Sequence, residues 1–237
     1  MSAEITRPAS GGGVSGGSAS GGSASGGSAS GGGEAPAEPG RPRPQGQGRA
    51  RVGARSSRRE ELLHAAAVLF AERGFRGVGI EQIGAAVGIS GPGIYRHFPS
   101  KDAMLVELLV GISRYLLENA RDARQAGENS AQALDRLVRG HVEFALDHPE
   151  LIVIHDRDLW SLPEEAAREV RRLQRAYTEQ WVETLREARP ELGAAAARAR
   201  AHALFGLINS TPHSASDLGR PEMAAMLHTM ALGAAHS

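Results

Sequence analysis

"GISGPGIYRHFPSKDAM", residues 88–104, sets three poor helix formers, Gly91, Pro92 and Gly93, directly before the aromatic and cationic run Ile94-Tyr95-Arg96-His97-Phe98. A plain turn needs the breakers but not the run, and a core helix needs the run but not the breakers. Both belong if a short helix starts at Ser90. There Ser90 is the N-cap, whose hydroxyl can accept from a first-turn N–H. Pro92 falls in the first turn, where a missing donor costs little. Gly91 and Gly93 keep the helix start bare, so another backbone can approach closely. Free N–H groups at such a tip attract phosphate. One turn later Tyr95, Arg96 and His97 supply donors, while Ile94 and Phe98 turn back to the core. Ser100 then caps the next helix, with Lys101 in its first turn. Upstream, Ile80, Ile83, Ala86 and Val87 mark a helix over 80–87 that stops at Gly88. A helix at 80–87, a tight turn and a helix at 91–97 make a helix-turn-helix that presents its tip to DNA.

Outward from this stretch the apolar periodicity is helical almost throughout. Leu62, Ala66, Leu69 and Phe70 share one face, ended by Gly74. Leu105, Leu108, Leu109, Ile112 and Leu116 define another helix, and a further one runs from about Ala131 to Asp147. Leu151–Leu162 is a short apolar piece after Pro149. "SLPE" at 161–164 reads as a capping box, Ser161 capping and Glu164 reaching back. Behind it Val170, Leu173, Tyr177, Trp181 and Thr184 form one stripe. Ala194–Ile208 is small and apolar nearly all round, and Met223–Ala234 is a last amphipathic helix. The fold class is all-α: an N-terminal three-helix DNA-binding unit and a C-terminal helical domain. Three copies of Gly-Gly-Ser-Ala-Ser at 16–30 cannot bury apolar surface. Residues 1–48 are therefore expected to be a disordered tail, 55–103 the DNA-binding unit and 104–237 the second domain.

The net charge of zero conceals an asymmetry. Residues 41–101 carry +7, residues 1–40 carry −2 and residues 102–237 carry −5. One end of the molecule suits a polyanion and the other does not. The arginines at 41–59 form an arm that could enter a minor groove. There is no cysteine, hence no disulfide framework and no thiolate metal site. No apolar run is long enough for a membrane helix, and Met1–Arg7 is no secretory signal. The expected location is cytoplasmic, with no membrane partner.

Residues 59–109 resemble the DNA-binding domain of the TetR/AcrR repressors. The resemblance rests on the Leu69-Phe70-Ala71-Glu72-Arg73-Gly74-Phe75 run, on Val87-Gly88-Ile89-Ser90, and on Tyr95-x-His97-Phe98-x-Ser100-Lys101. It implies a homodimer that binds a palindromic double-stranded operator and releases it when a small effector binds. It implies DNA contacts from Ser90, Gly91, Pro92, Gly93, Tyr95, Arg96, His97 and Lys101, with Tyr95, His97 and Lys101 on phosphates. In the family the second helix often opens with a Thr cap and a base-contacting Arg. Here Gly79 and Glu81 stand near those places, which leaves Gln82 as the neutral base contact. The C-terminal half matches only in helicity and length. There the resemblance turns Phe144, His155, Trp160, Tyr177, Trp181, Phe205 and Asn209 into pocket candidates for a hydrophobic or acyl-CoA-like effector. Dimerisation falls to Ala194–Ile208 and Met223–Ala234.

Other chemistry is weakly signalled. His141, His148 and His155 are seven apart, but Pro149 breaks any common face, so no metal or other cofactor is expected. An all-α hydrolase using His155 with Asp156 or Asp158 is the alternative. It lacks a nucleophile at motif spacing, so the chain is not read as an enzyme.

Overall fold

The computed structural model describes residues 47–213 and 218–237, with side chains from Arg58 onward. The described residues fall within one compact unit, Gln45–Ser237, and contain helices and no strand. The expected tail at 1–48 lies outside them except for residues 47–48, and so do the side chains of Arg41, Arg43, Arg49, Arg51 and Arg55. The helices are α1 (Gln47–Arg73), α2 (Ile80–Ala86), α3 (Gly91–Ile94), α4 (Lys101–Ala126) and α5 (Ser130–Asp147). They continue with α6 (Pro149–Asp158), α7 (Glu164–Ala188), α8 (Ala194–Ile208) and α9 (Arg220–His236).

Local chemistry sets most of the boundaries. Gly74 leaves α1 at φ 79°, donating to the Phe70 carbonyl at 2.8 Å, as a glycine past a helix end can without strain. Ser100 caps α4, its Oγ accepting from Ala103 N at 3.1 Å. Asn129 does the same for α5 through Gln132 N. The expected Ser161–Glu164 box is absent. Ser161 ends a 3-10 turn, Leu159–Ser161, in which Leu162 N bonds to Leu159 O, and Pro163 stands at the cap of α7. The turn draws Leu162 into the core and moves Ser161 away from the helix start.

Two layers result. α1, α2 and α3 pack around Leu62, Ala66, Phe70, Ile83, Ile94 and Phe98, all nearly inaccessible to solvent. α4 leaves that cluster and crosses α5 and α7, against which α8 and α9 complete a helical bundle. α8 buries Ala197, Ala201, Leu204 and Ile208 there, and α9 buries Met223, Leu227, Ala231 and Ala235. Their outer faces expose Ala199, Ala203 and Gly206 together with Met226 and Met230.

The helix-turn-helix depends on a close approach. Gly84 is buried, and a Cβ there would lie 2.7 Å from the Ile89 carbonyl and nearer still to Ile94 Cδ1. Gly88 turns the chain at φ 71°. Gly84→Ala is therefore expected to force α2 and α3 apart and to lower stability by about 1–3 kcal/mol, as overpacking of a tight core does. Thermal or urea unfolding measures it, and a variant as stable as wild type contradicts the stated packing.

Candidate functional site

The first candidate surface is the tip of α3 with its flanks. α3 is one turn long, shorter than the expected 91–97. Beyond Ile94 the chain continues as turns, with His97 N and Phe98 N both bonded to the Ile94 carbonyl. One turn carries little dipole, so any hold on an anion here falls to side chains. Ser90 is the N-cap residue, but its hydroxyl makes no capping hydrogen bond. At Gly91 a Cβ would meet only Glu81 Cγ, at 3.9 Å, an ordinary contact that leaves room for a side chain. At Gly93, by contrast, a Cβ would meet Ile89 Cγ2 at 2.6 Å, so that glycine serves the turn's own packing. Tyr95 is 54% exposed, and Pro92 and Arg96 are exposed beside it, with His97 half-buried. Gln82 folds back, its Oε1 accepting from Gly79 N at 2.8 Å, which leaves its amide N–H groups outward.

The cations divide into committed and uncommitted. Arg58 pairs with Glu61, while Arg59 pairs with Glu107 and lies over the Phe98 ring at 4.4 Å. Arg76 and Arg96 are exposed and make no ion pair with any described residue. Lys101, expected to meet phosphate, turns inward. Its ammonium donates to the Phe75 carbonyl at 2.7 Å and the Val78 carbonyl at 2.8 Å, and lies 4.3 Å from the Phe75 ring centroid. It ties the 3-10 turn Phe75–Gly77, which follows α1, to the first turn of α4. Sequence reasoning missed this because the two carbonyls sit 23 and 26 residues away.

The second site is a cavity of about 280 Å³ lined by five helices of the bundle. α4 contributes Ile112, Ser113 and Leu116; α5 contributes His141 and Phe144; α6 contributes Leu151, Ile152, His155 and Asp156. Gln174, Tyr177 and Thr178 come from α7, and His202 and Phe205 from α8, which Asn209 ends. Of the seven expected pocket residues, Phe144, His155, Tyr177, Phe205 and Asn209 line it. Trp160 does not: it is 87% exposed on the 3-10 turn after α6. Trp181 is fully buried behind the wall, edge-on to Phe205 with centroids 5.2 Å apart.

His141, overlooked as a pocket residue, stands at the buried end. Its only sequence signal is its place on the inward stripe of α5, beside Val138 and Phe144. Tyr177 Oη lies 2.9 Å from its Nδ1. Burial pushes the imidazole down to about 4, against a smaller upward pull from the Asn209 side chain. Asn209 stands close enough for that pull yet closes no hydrogen bond with the ring. His141 Nε2 and Asn209 Oδ1 both lack a partner. Burial likewise raises the pKa of the Tyr177 phenol, so both groups are neutral near pH 7.

The arrangement offers little for hydrolysis. His155 Nδ1 lies 3.2 Å from Asp156 Oδ1, but its Nε2 meets Gln174. The cavity hydroxyls of Ser113 and Thr178 donate to the Leu109 and Gln174 carbonyls of their own helices. Asp158, the other proposed partner of His155, is engaged by Arg157 at 3.1 Å. Among the described residues no three His, Asp or Glu side chains gather as a metal site, and no helix is long and apolar enough to cross a membrane.

α6 joins the two sites. Its lining residues face the cavity, and its last turn holds the end of α1. Arg157 donates to the Ala71 carbonyl at 3.1 Å and to the Phe70 carbonyl. Asp158 accepts from Phe75 N at 3.3 Å. Carbonyls at a helix C-terminus have no partner within the helix, so a guanidinium is well placed there.

Comparison with known proteins agrees with this anatomy. Sequence models described as "Bacterial regulatory proteins, tetR family" and "Tetracyclin repressor-like, C-terminal domain" match residues 62–108 and 127–232. The HTH-type transcriptional repressor KstR2 of Mycobacterium tuberculosis H37Rv is 37% identical over 100 residues, 42% of this chain and 50% of that one. The chain thus matches about half the length of these curated relatives. The structure of the ketosteroid transcriptional regulator KstR2 of M. tuberculosis superposes with a TM-score of 0.61 at 26% identity, over 74% of this chain and 93% of that one. That of AibR, in complex with isovaleryl coenzyme A and operator DNA, gives 0.62 at 18% identity, over 73% and 97%.

The low pKa of His141 has a measurable consequence. The unfolded chain takes up this proton near pH 6.5 and the folded chain only near 4. Its effect on stability is therefore nil above about pH 6.5, grows as the pH falls, and levels off below about 4 at a loss of about 3 kcal/mol. The difference in urea midpoint between wild type and His141→Gln, followed from pH 7.5 to 4, should show that slope. A constant difference across the range contradicts a neutral, buried His141.

Proposed function

The chain belongs to the tetR family of bacterial regulatory proteins, and from that premise we propose that it is a dimeric, cytoplasmic DNA-binding repressor that leaves a palindromic operator when a small hydrophobic effector fills its cavity. The observation that carries the reading is the joining of the two sites by α6. A helix that walls the cavity also holds the end of α1, on which the helix-turn-helix is packed.

In this reading Tyr95, Arg96 and His97 meet phosphates and base edges. Ser90, Gly91 and Pro92 lie against the groove, and Gln82 offers its amide N–H groups. Gly93 contributes through the shape of the turn, and Lys101 by holding Phe75–Val78 in place. With so few base-reading side chains, part of the specificity comes from the shape of the DNA. The exposed small and methionine side chains of α8 and α9 meet a second copy, and the two-fold axis so created sets the symmetry of the operator. An effector between α4, α6 and α7 favours the position of α6 that accommodates it. Arg157 and Asp158 pass that shift to α1, so the two recognition elements lose their register. AibR was solved with both isovaleryl coenzyme A and operator DNA, which supports a regulator of this fold holding both kinds of partner. The cavity here has room for an acyl-sized group rather than a whole coenzyme.

Selection of bound duplexes from a random library tests the reading, with the expected winner a two-fold symmetric site. On that site Arg96→Ala and Tyr95→Phe should each lose about 1–2 kcal/mol, roughly 5–30-fold, with unchanged melting temperature. Arg96→Ala should also reduce the slope of log affinity against log salt by about 0.9. Lys101→Ala should weaken binding too, but with a lowered melting temperature, because it releases an internal clasp. No enriched sequence, or full affinity in both surface variants, removes DNA recognition from this face.

A further inference from the structure

The buried end of the cavity holds two polar atoms with complementary needs. His141 is 4% exposed and stands among the rings of Phe144, Tyr177, Trp181 and Phe205, with centroids 5.3–5.9 Å away. Beside it Trp181 offers the Tyr177 oxygen only an indole N–H, a donor, so the phenol proton goes to His141 Nδ1 and the imidazole proton resides on Nε2. That Nε2–H has no acceptor, and the buried Asn209 Oδ1 has no donor. Both residues line the cavity, His141 from the middle of α5 and Asn209 from the end of α8.

A buried donor and a buried acceptor left open side by side are costly to fold and are a ready template for one group that can both accept and donate. We infer that His141 Nε2 and Asn209 Oδ1 together bind the hydroxyl of an uncharged, otherwise apolar alcohol or phenol, whose oxygen accepts from His141 and donates to Asn209. This deepens the reading of the cavity as the effector site and rests on it. Other polar groups fit less well. A ketone or ester carbonyl satisfies His141 but leaves Asn209 Oδ1 open. A carboxylate sets its charge against Asn209 Oδ1, and the cavity lining has no Lys or Arg to offset it. A hydrocarbon satisfies neither atom. Ile112, Leu116, Leu151 and Phe205 supply the apolar wall for the rest of the ligand. A cavity of about 280 Å³ is about twice the ~150 Å³ that holds a benzene, so it suits a ligand of a single ring with a short substituent.

The test is calorimetric titration of the full chain with 4-ethylphenol, ethylbenzene and 4-ethylbenzoate at neutral pH. The phenol should bind at least tenfold tighter than the hydrocarbon and tighter than the benzoate. In His141→Phe and in Asn209→Leu the ratio of phenol to hydrocarbon should fall towards one while ethylbenzene binds about as before. Asn209 ends a helix at a half-buried position, so its variant keeps the test alive if His141→Phe unfolds. A ratio near one in wild type, a ratio unchanged in Asn209→Leu, preference for the benzoate, or no binding of either the phenol or ethylbenzene overturns the inference. Duplex binding by the same proteins before any ligand is added separates this from the regulator reading. An intact phenol ratio without any DNA binding leaves the hydroxyl subsite standing and removes the regulator.

Discussion

Phe70, Ala71, Phe75 and Val78 surround the end of α1, and each has a main-chain group held by a charged side chain from elsewhere in the chain. Lys101, at the start of α4, takes the Phe75 and Val78 carbonyls. Arg157, at the end of α6, takes the Phe70 and Ala71 carbonyls, and Asp158 takes the Phe75 N–H. The last carbonyls of a helix are mostly open by construction; here Arg157 closes that of Ala71 and adds a donor to that of Phe70, which also accepts from Gly74 N, while Lys101 closes two carbonyls of the turn that follows. Because α1, α2 and α3 share one small core, fixing the end of α1 sets where the Gly91–Phe98 element points. Because α4 and α6 are also walls of the cavity, the same contacts join that element to the cavity walls.

The cavity itself carries a cost in stability. A core of aromatic rings with no imidazole would avoid the desolvation that holds His141 neutral. Here His141, Tyr177 and Asn209 bring polarity to the inner end while α4 and α6 supply aliphatic walls. Trp181 lies one layer deeper and supports Phe205 and Tyr177 edge-on. The lining therefore has a defined geometry before any ligand arrives, and a ligand must match it or deform it.

Much of this was legible in the sequence, and the failures share a cause. Gly74, Gly88 and Ser100 announce themselves because a helix end is a local event, decided by φ and by a cap within a few residues. The helical stripes of α4, α5 and α7 are legible because burial repeats with the helical period. Two of the five expected residues that line the cavity, Phe144 and Tyr177, fell on those stripes. What was not legible depends on distant partners. Lys101 looks like a surface cation until Phe75 and Val78 are folded beside it. Gly93 looks like room for DNA until Ile89 is seen to fill that room. Trp160 reads as a wall because tryptophans are mostly buried, yet the 3-10 turn at Leu159–Ser161 buries Leu162 and turns Trp160 outward. His141 was set aside with the metal-like spacing of His148 and His155, although its neighbours in space are aromatic.

The central claim is that cavity and DNA element are energetically coupled through the end of α6. It is tested most directly by measuring operator affinity with and without a saturating cavity ligand, in wild type and in Arg157→Ala. The account predicts a ligand-induced loss of about 5–150-fold in wild type, the range of ordinary coupling energies. It predicts a factor close to one in the variant, with ligand affinity retained. The same factor in both proteins would contradict the role given to Arg157 and place the coupling elsewhere.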